Sequence, residues 1–278
     1  MTVRILTDST CDLPVDIITR LGIQIVPIYI RIGNRDLVDG IDISREEFYT
    51  NLPTYIDHPT TAVPSPAKFH AMYDVLADEG ATEVLSIHIS STLSAMTNVA
   101  QVAAAETTSV PVTVLDSRQL SLGTGFLVQT AAELAKMGHT VAEILPVLEE
   151  QIKRTFVAAG LDTLKFLRRS GRMNSAVSTI GELLHIKPIL TMVDGVSSVE
   201  RVRTHSKSMA RLVEMLRSQS PFEKIAFLHS GALESARMLQ EEVRSLLPNH
   251  EIWLEMINPV LGAHIGPGVV GFASVASK

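Results

Sequence analysis

The sequence predicts an α/β protein in two units: an N-terminal α/β unit on a parallel sheet, residues 1–160, and a C-terminal α+β unit with an antiparallel sheet, residues 161–278. Three observations carry this. Apolar, β-branched runs alternate with helical stretches through the first unit, as in a parallel sheet with crossover helices. Beyond it, Asp194-Gly195 joins two strand-like runs and gives the strongest hairpin signal in the chain. A length of 278 residues suits two domains of ordinary size.

In order, Val3 to Thr7 reads as a buried strand ending in the polar cluster Thr7-Asp8-Ser9-Thr10, with Pro14 suited to the first turn of a helix. Ile23 to Ile32 is apolar but contains Pro27, so it reads as an edge strand or a broken one, turning at Gly33-Asn34. Ser44 to Glu47 forms a capping box ahead of a short helix that ends near Pro53. Thr60 to Pro66 reads as a polar turn, with Ser65 as N-cap and Pro66 at the first position of a helix to about Glu79. Glu83 to Ile89 is a buried strand, Asn98 to Glu106 an Ala-rich helix, and Ser90, Ser91, Thr92 and Ser94 lie between them.

Val112 to Leu115 is a strand ending in Asp116-Ser117, followed by a helix to Ala135. Thr140 with Glu143 is a capping box opening a helix to about Arg154, and Phe156 to Ala159 is a strand. Leu161 to Arg168 is amphipathic, Arg168 to Arg172 a basic turn, and Ser175 to Leu184 a helix. Ile186 to Val193 and Val196 to Arg203 form the hairpin. His205 to Gln219 and Glu234 to Leu246 are helices, Lys224 to Leu228 and Ile252 to Met256 strands, and a glycine-rich stretch from Gly262 to Gly268 leads into a final strand, Val269 to Val275.

Composition excludes several function classes. The formal charge is −6 with a pI near 5.8, against a nucleic-acid surface, which needs clustered Lys and Arg. Aromatics make up 5%, too few for stacking platforms, while the 46% hydrophobic share is aliphatic. Cys11 is the only cysteine, so neither an internal disulfide nor a cysteine metal cluster can form, which fits a reducing compartment. The N-terminus lacks a signal-peptide pattern and there is no apolar run of about 18 residues for an integral membrane segment, so the cytoplasm is the expected location.

Three strand ends carry hydroxyl-rich loops. Ligands of open α/β sheets bind beyond the carboxyl ends of parallel strands, so Asp8, Ser9, Ser91, Ser94, Asp116 and Ser117 are expected to face one crevice. The loop before the Ala-rich helix offers backbone N–H groups, hydroxyl donors and a helix N-terminus to an anion; helix capping alone would also account for its serines. Gly123-Thr124-Gly125 lacks the third glycine of a dinucleotide fingerprint, and there is no P-loop, no Gly-x-Ser-x-Gly elbow and no zinc-type His pair. No cofactor or metal is expected. The alternative to a binding protein is a hydrolase or phosphotransferase using Asp8, Asp116 and the serine loops.

Taken as an ordered set, Thr7 to Thr10, Thr61 with Pro64-Ser65, Ser90 to Ser94, Asp116-Ser117, Ser121 with Gly123, Leu164 to Arg172 and His264 to Gly268 resemble the DegV family of bacterial fatty-acid-binding proteins along nearly the whole chain. The resemblance implies the family's two-domain EDD fold and one long-chain, palmitate-like fatty acid held between the domains. It also implies a non-catalytic carrier role for a dihydroxyacetone-kinase-like fatty acid kinase that phosphorylates the acyl carboxylate. Thr61 and Ser94 match the family's carboxylate ligands, His264 its nearby histidine, and Ser91 and Ala95 fall in the same turn as Ser94. The basic turn around Arg172 and the strand end at Arg203 are expected to form a docking edge for that partner, because an otherwise acidic chain concentrates positive charge at Arg168, Arg169, Arg172, Arg201 and Arg203, and the resemblance places a partner-contacting arginine near Arg203. The chain departs from the family at Ala95 in place of Gly, at Met96 in place of Thr and at Ser170 in the Gly-Gly-Arg turn.

Overall fold

The computed structural model describes residues 2–171, 186–249 and 251–278. The N-terminal half is built on a four-stranded parallel sheet. Its strands are β1 (Val3–Asp8), β2 (Gln24–Val26), β6 (Glu83–His88) and β7 (Val112–Asp116), in the order β2-β1-β6-β7. Its central strands read as apolar runs because both faces are covered: Leu6, Leu85 and Ile87 are fully buried. The helices α1 (Val15–Leu21), α3 (Pro66–Asp78), α4 (Met96–Glu106) and α5 (Leu122–Lys136) follow the sheet strands or their connections.

Pro27 breaks the second apolar run, as expected. β2 stays at the edge of the parallel sheet, and the chain resumes as β3 (Tyr29–Ile32) in a separate antiparallel sheet of order β4-β3-β5, with β4 (Arg35–Val38) and β5 (Thr60–Ala62). The expected turn at Thr60-Thr61 is therefore a strand. Its β-branched threonines pair with Arg31 and Ile30 of β3, and pairing decides a segment too short for pattern to reveal. α2 (Arg45–Asn51) starts at Ser44, whose hydroxyl accepts from the Glu47 N–H at 3.1 Å. Ser65 has N-cap backbone geometry, but its side chain makes no cap hydrogen bond. At Thr140 both bonds of the capping box form and open α6 (Val141–Arg154).

The third sheet has six strands: β8 (Thr155–Gly160), β9 (Lys187–Val193), β10 (Val196–Val202), β11 (Phe222–His229), β12 (Trp253–Met256) and β13 (Val270–Ala276). Their order is β10-β9-β8-β13-β11-β12, all antiparallel except the β11–β12 pair. β8, read with the first unit, is hydrogen-bonded into this sheet. The hairpin forms as expected, with Asp194 and Gly195 at φ +43° and +80°, the positive pair that a two-residue type I′ turn demands. The remaining helices are α7 (Lys165–Ser170), α8 (His205–Gln219), α9 (Leu233–Glu242) and α10 (Pro259–Ile265). α10 occupies part of the glycine-rich stretch from Gly262 to Gly268, for which the sequence predicts no helix. Asn258 caps it and Pro259 takes the first position, a start signal that outweighs the glycines behind it. The helix expected over Ser175 to Leu184 lies outside the described residues.

One face of the six-stranded sheet packs under α8 and α9 around Phe227, Phe272, Leu212 and Leu216. Its other face joins the N-terminal half in a single apolar interior that runs from Leu6 through Leu127 to Val157 and Ala273. Among the described residues, no helix is long and apolar enough to cross a membrane.

Candidate functional site

Between the N-terminal half and the six-stranded sheet lies a cavity of about 490 Å³. Ile28, Val63 and Ile89 wall it from the N-terminal half, and Val157, Met192 and Leu228 from the six-stranded sheet. The hairpin contributes because Leu190 and Met192 of β9, and Ser197 and Val199 of β10, share the face turned to the cavity. His264 is the only titratable group among its described lining residues. Such a chamber accepts an apolar body and offers no buried cation.

Three polar residues singled out from the sequence line this cavity. Thr61 comes from β5, Ser94 and Ala95 from the turn before α4, and His264 from the last turn of α10. Thr61 Oγ1 lies 3.0 Å from His264 Nε2. A proton on Nε2 leaves the Thr61 hydroxyl hydrogen free to donate to a ligand oxygen. Ser94 Oγ accepts from the Met96 N–H at 3.3 Å, and its own hydrogen remains a donor. Thr61, Ser94 and His264 are half-buried and Ala95 is exposed, whereas the lining hydroxyls of Thr10 and Ser121 are buried. The start of α4 adds the positive end of an 11-residue helix. Together these groups can hold a carboxylate without performing chemistry on it.

The structure places Thr61, Ser94, Ala95 and His264 on the lining of one cavity, with Thr61 and His264 in contact, and leaves Ser91 apart. Ser91 is turned toward the end of β7, where its N–H and hydroxyl donate to Asp116, the hydroxyl at 2.6 Å, and it does not line the cavity. Asp116 also accepts from the Arg118 N–H at 2.8 Å. Arg203 is exposed just past β10, while Arg172 lies outside the described residues.

Asp8 is buried, and burial alone would raise its pKa. Hydrogen bonds from His88 (3.0 Å), the Ile89 N–H (3.0 Å), and the N–H and hydroxyl of Thr10 outweigh that and hold it below the usual carboxylate range. His88 in turn contacts Ser86 at 2.7 Å, to which Tyr73 donates. Neither Asp8 nor Asp116, the carboxylates a hydrolytic reading would use, lines the cavity.

Sequence reasoning missed two contributors. The Asp194-Gly195 turn signal speaks only to the fold, yet the inner face of its hairpin is cavity wall. Asp12, just after the first polar cluster, is buried and receives bonds from Ser121 and Asn258, partners 109 and 246 positions away that no local pattern connects.

Comparison with known proteins bears on the family and the fold. The family model described as "Uncharacterised protein, DegV family" matches residues 2–277. A DegV domain-containing protein of Streptomyces coelicolor is 36% identical over 275 residues, 97% of this chain and 96% of that one. The fold matches a DegV family protein from Thermus thermophilus, described for its fatty acid binding, with a TM-score of 0.91, 35% identity and full coverage of both chains. It also matches DegV of Bacillus subtilis, described as a fatty acid binding protein, with a TM-score of 0.92, 29% identity and full coverage of both chains. On these matches the chain belongs to the DegV family.

Proposed function

We propose that this protein binds one long-chain fatty acid between its two halves, with the acyl chain in the cavity and the carboxylate at Thr61, Ser94 and His264. The observation that carries this reading is the aliphatic cavity of about 490 Å³ whose lining holds the Thr61 and Ser94 hydroxyls and a single histidine, His264, all half-buried. Burying a methylene is worth about 0.8 kcal/mol, so roughly 14 of them supply about 11 kcal/mol before ordering costs. Few polar contacts are then needed, and they fix orientation. The fatty acid binding described for the Thermus thermophilus and Bacillus subtilis proteins supports the same reading. Protein purified from cells and extracted with chloroform is expected to yield near-stoichiometric long-chain fatty acid by mass spectrometry. An extract without fatty acid, from protein that also takes up none when palmitate is added, would remove the reading.

The finer reading is a carrier that performs no catalysis itself and presents the carboxylate to a dihydroxyacetone-kinase-like partner, with Arg172 and Arg203 at the docking edge. The resemblance and the exposure of Arg203 support it. Exposed charges at an interface rim chiefly set association rate and its salt dependence. Arg203→Ala is therefore expected to leave fatty-acid affinity intact and to slow acyl-phosphate formation by the cognate kinase, most clearly at low salt and limiting carrier. Equal turnover by variant and wild type would remove the docking role and leave the binding role standing.

A further inference from the structure

We propose that Asp12 is a positioning residue for the Thr61–His264 contact in the cavity lining: it anchors α10 onto the N-terminal half and so sets where His264 meets Thr61. The proposal rests on the fatty-acid reading above. Asp12 is 1% exposed. Its Oδ1 accepts from the backbone N–H and the side-chain amide of Asn258, both at 2.9 Å, and its Oδ2 accepts from the Ser121 hydroxyl at 2.6 Å. The Arg45 guanidinium lies 3.4 Å from Oδ1 and donates to the Met256 carbonyl, which steadies the same corner. Asn258 is also the N-cap of α10, its Oδ1 accepting from the Leu261 N–H at 2.9 Å. One side chain thus starts the helix and ties it to Asp12.

α10 belongs by sequence to the C-terminal half, yet it is fastened to the N-terminal half at three successive levels. Asn258 meets Asp12 at its start. Gly262 lies flush against α2, where a Cβ would sit 2.5 Å from Tyr49 Oη and 2.9 Å from Phe48. His264 reaches Thr61 in the last turn. A helix rises about 1.5 Å per residue and is stiff over this length, so Asn258 and His264 are two ends of one short lever roughly 9 Å long. Releasing the Asp12 end changes the angle at which His264 approaches Thr61. Ser121, on the other oxygen of Asp12, lines the cavity itself, so the same carboxylate also holds that stretch of wall.

The test compares two ligands on delipidated protein by calorimetric titration: palmitate, which has the carboxylate, and 1-hexadecanol, which has the same chain without it. Asp12→Ala is expected to weaken palmitate about tenfold while changing hexadecanol much less, because the loss of a buried charged acceptor falls on the head-group geometry. Asp12→Asn keeps an oxygen for Asn258 and an amide for Ser121, and is expected to restore most of the palmitate affinity. Asn258→Ala, which leaves Asp12 in place but removes the cap and one of the two bonds, provides a second route to the same result if the Asp12→Ala protein does not fold. Equal weakening of both ligands in either alanine variant, or unchanged palmitate affinity, overturns the positioning role and leaves the fatty-acid reading intact. Wild-type protein that binds neither ligand overturns both.

Discussion

Alanine at both Thr61 and Ser94 is expected to weaken fatty-acid binding by roughly a hundredfold or more, since each hydroxyl bonded to a carboxylate contributes about 1.5–3 kcal/mol. The two residues come from different elements, β5 and the turn before α4, and no hydrogen bond joins them. Their losses should add unless both act on the same ligand oxygen through a shared geometry, and the single variants measure that coupling. The acyl chain's burial is untouched, so the double variant should still bind 1-hexadecanol about as well as wild type. Thr61→Ala also removes the hydroxyl facing His264 Nε2, so it is expected to be the costlier single change. Palmitate affinity in the double variant within about twofold of wild type would remove these two hydroxyls from the carboxylate site.

Segments whose structure is decided within about ten residues were legible in the sequence. The capping box at Thr140, the break at Pro27 and the positive-φ turn at Asp194-Gly195 each rest on local backbone chemistry, and each is found where the residues predict it. Segments decided by distant partners were not. β5 is only three residues long and exists because β3 offers an edge; α10 is seven residues long and packs on α2, more than 200 positions earlier. The site divides the same way. Ser94 sits in a strand-to-helix turn that composition alone marks as anion-friendly, whereas pairing Thr61 with His264 needed the family resemblance, because 203 residues separate them. Ser91 marks where the local reading went too far. A hydroxyl in the right turn still has to point the right way, and the Asp116 carboxylate, with no other side-chain partner among the described residues, draws Ser91 toward itself.

Asp39 is expected to make stability fall as pH rises, against the usual behaviour of a carboxylate in an ion pair. It is 5% exposed, and burial pushes its pKa up to about 7; the Ser9 hydroxyl and Arg45 partly offset this, while the charges of Asp12 and Asp8 add to it. Between the ordinary carboxylate pKa and about 7 the folded protein keeps a proton that the unfolded chain has released, so each pH unit across that window costs stability. A window of roughly 3 units at about 1.4 kcal/mol each amounts to about 4 kcal/mol, in full force once the pH exceeds the folded pKa. Asp8 works in the opposite sense and in a lower window: its pKa is held down, so its contribution is present at neutral pH and is lost only as the pH falls through the acid range. Asp39→Asn keeps the shape and removes the titration. Its advantage over wild type in urea unfolding should therefore grow from pH 5 to pH 8 and level off above that. A difference between the two proteins that stays constant across this range, or shrinks, would show that Asp39 is already ionised at pH 5 and that its neighbours compensate for its burial.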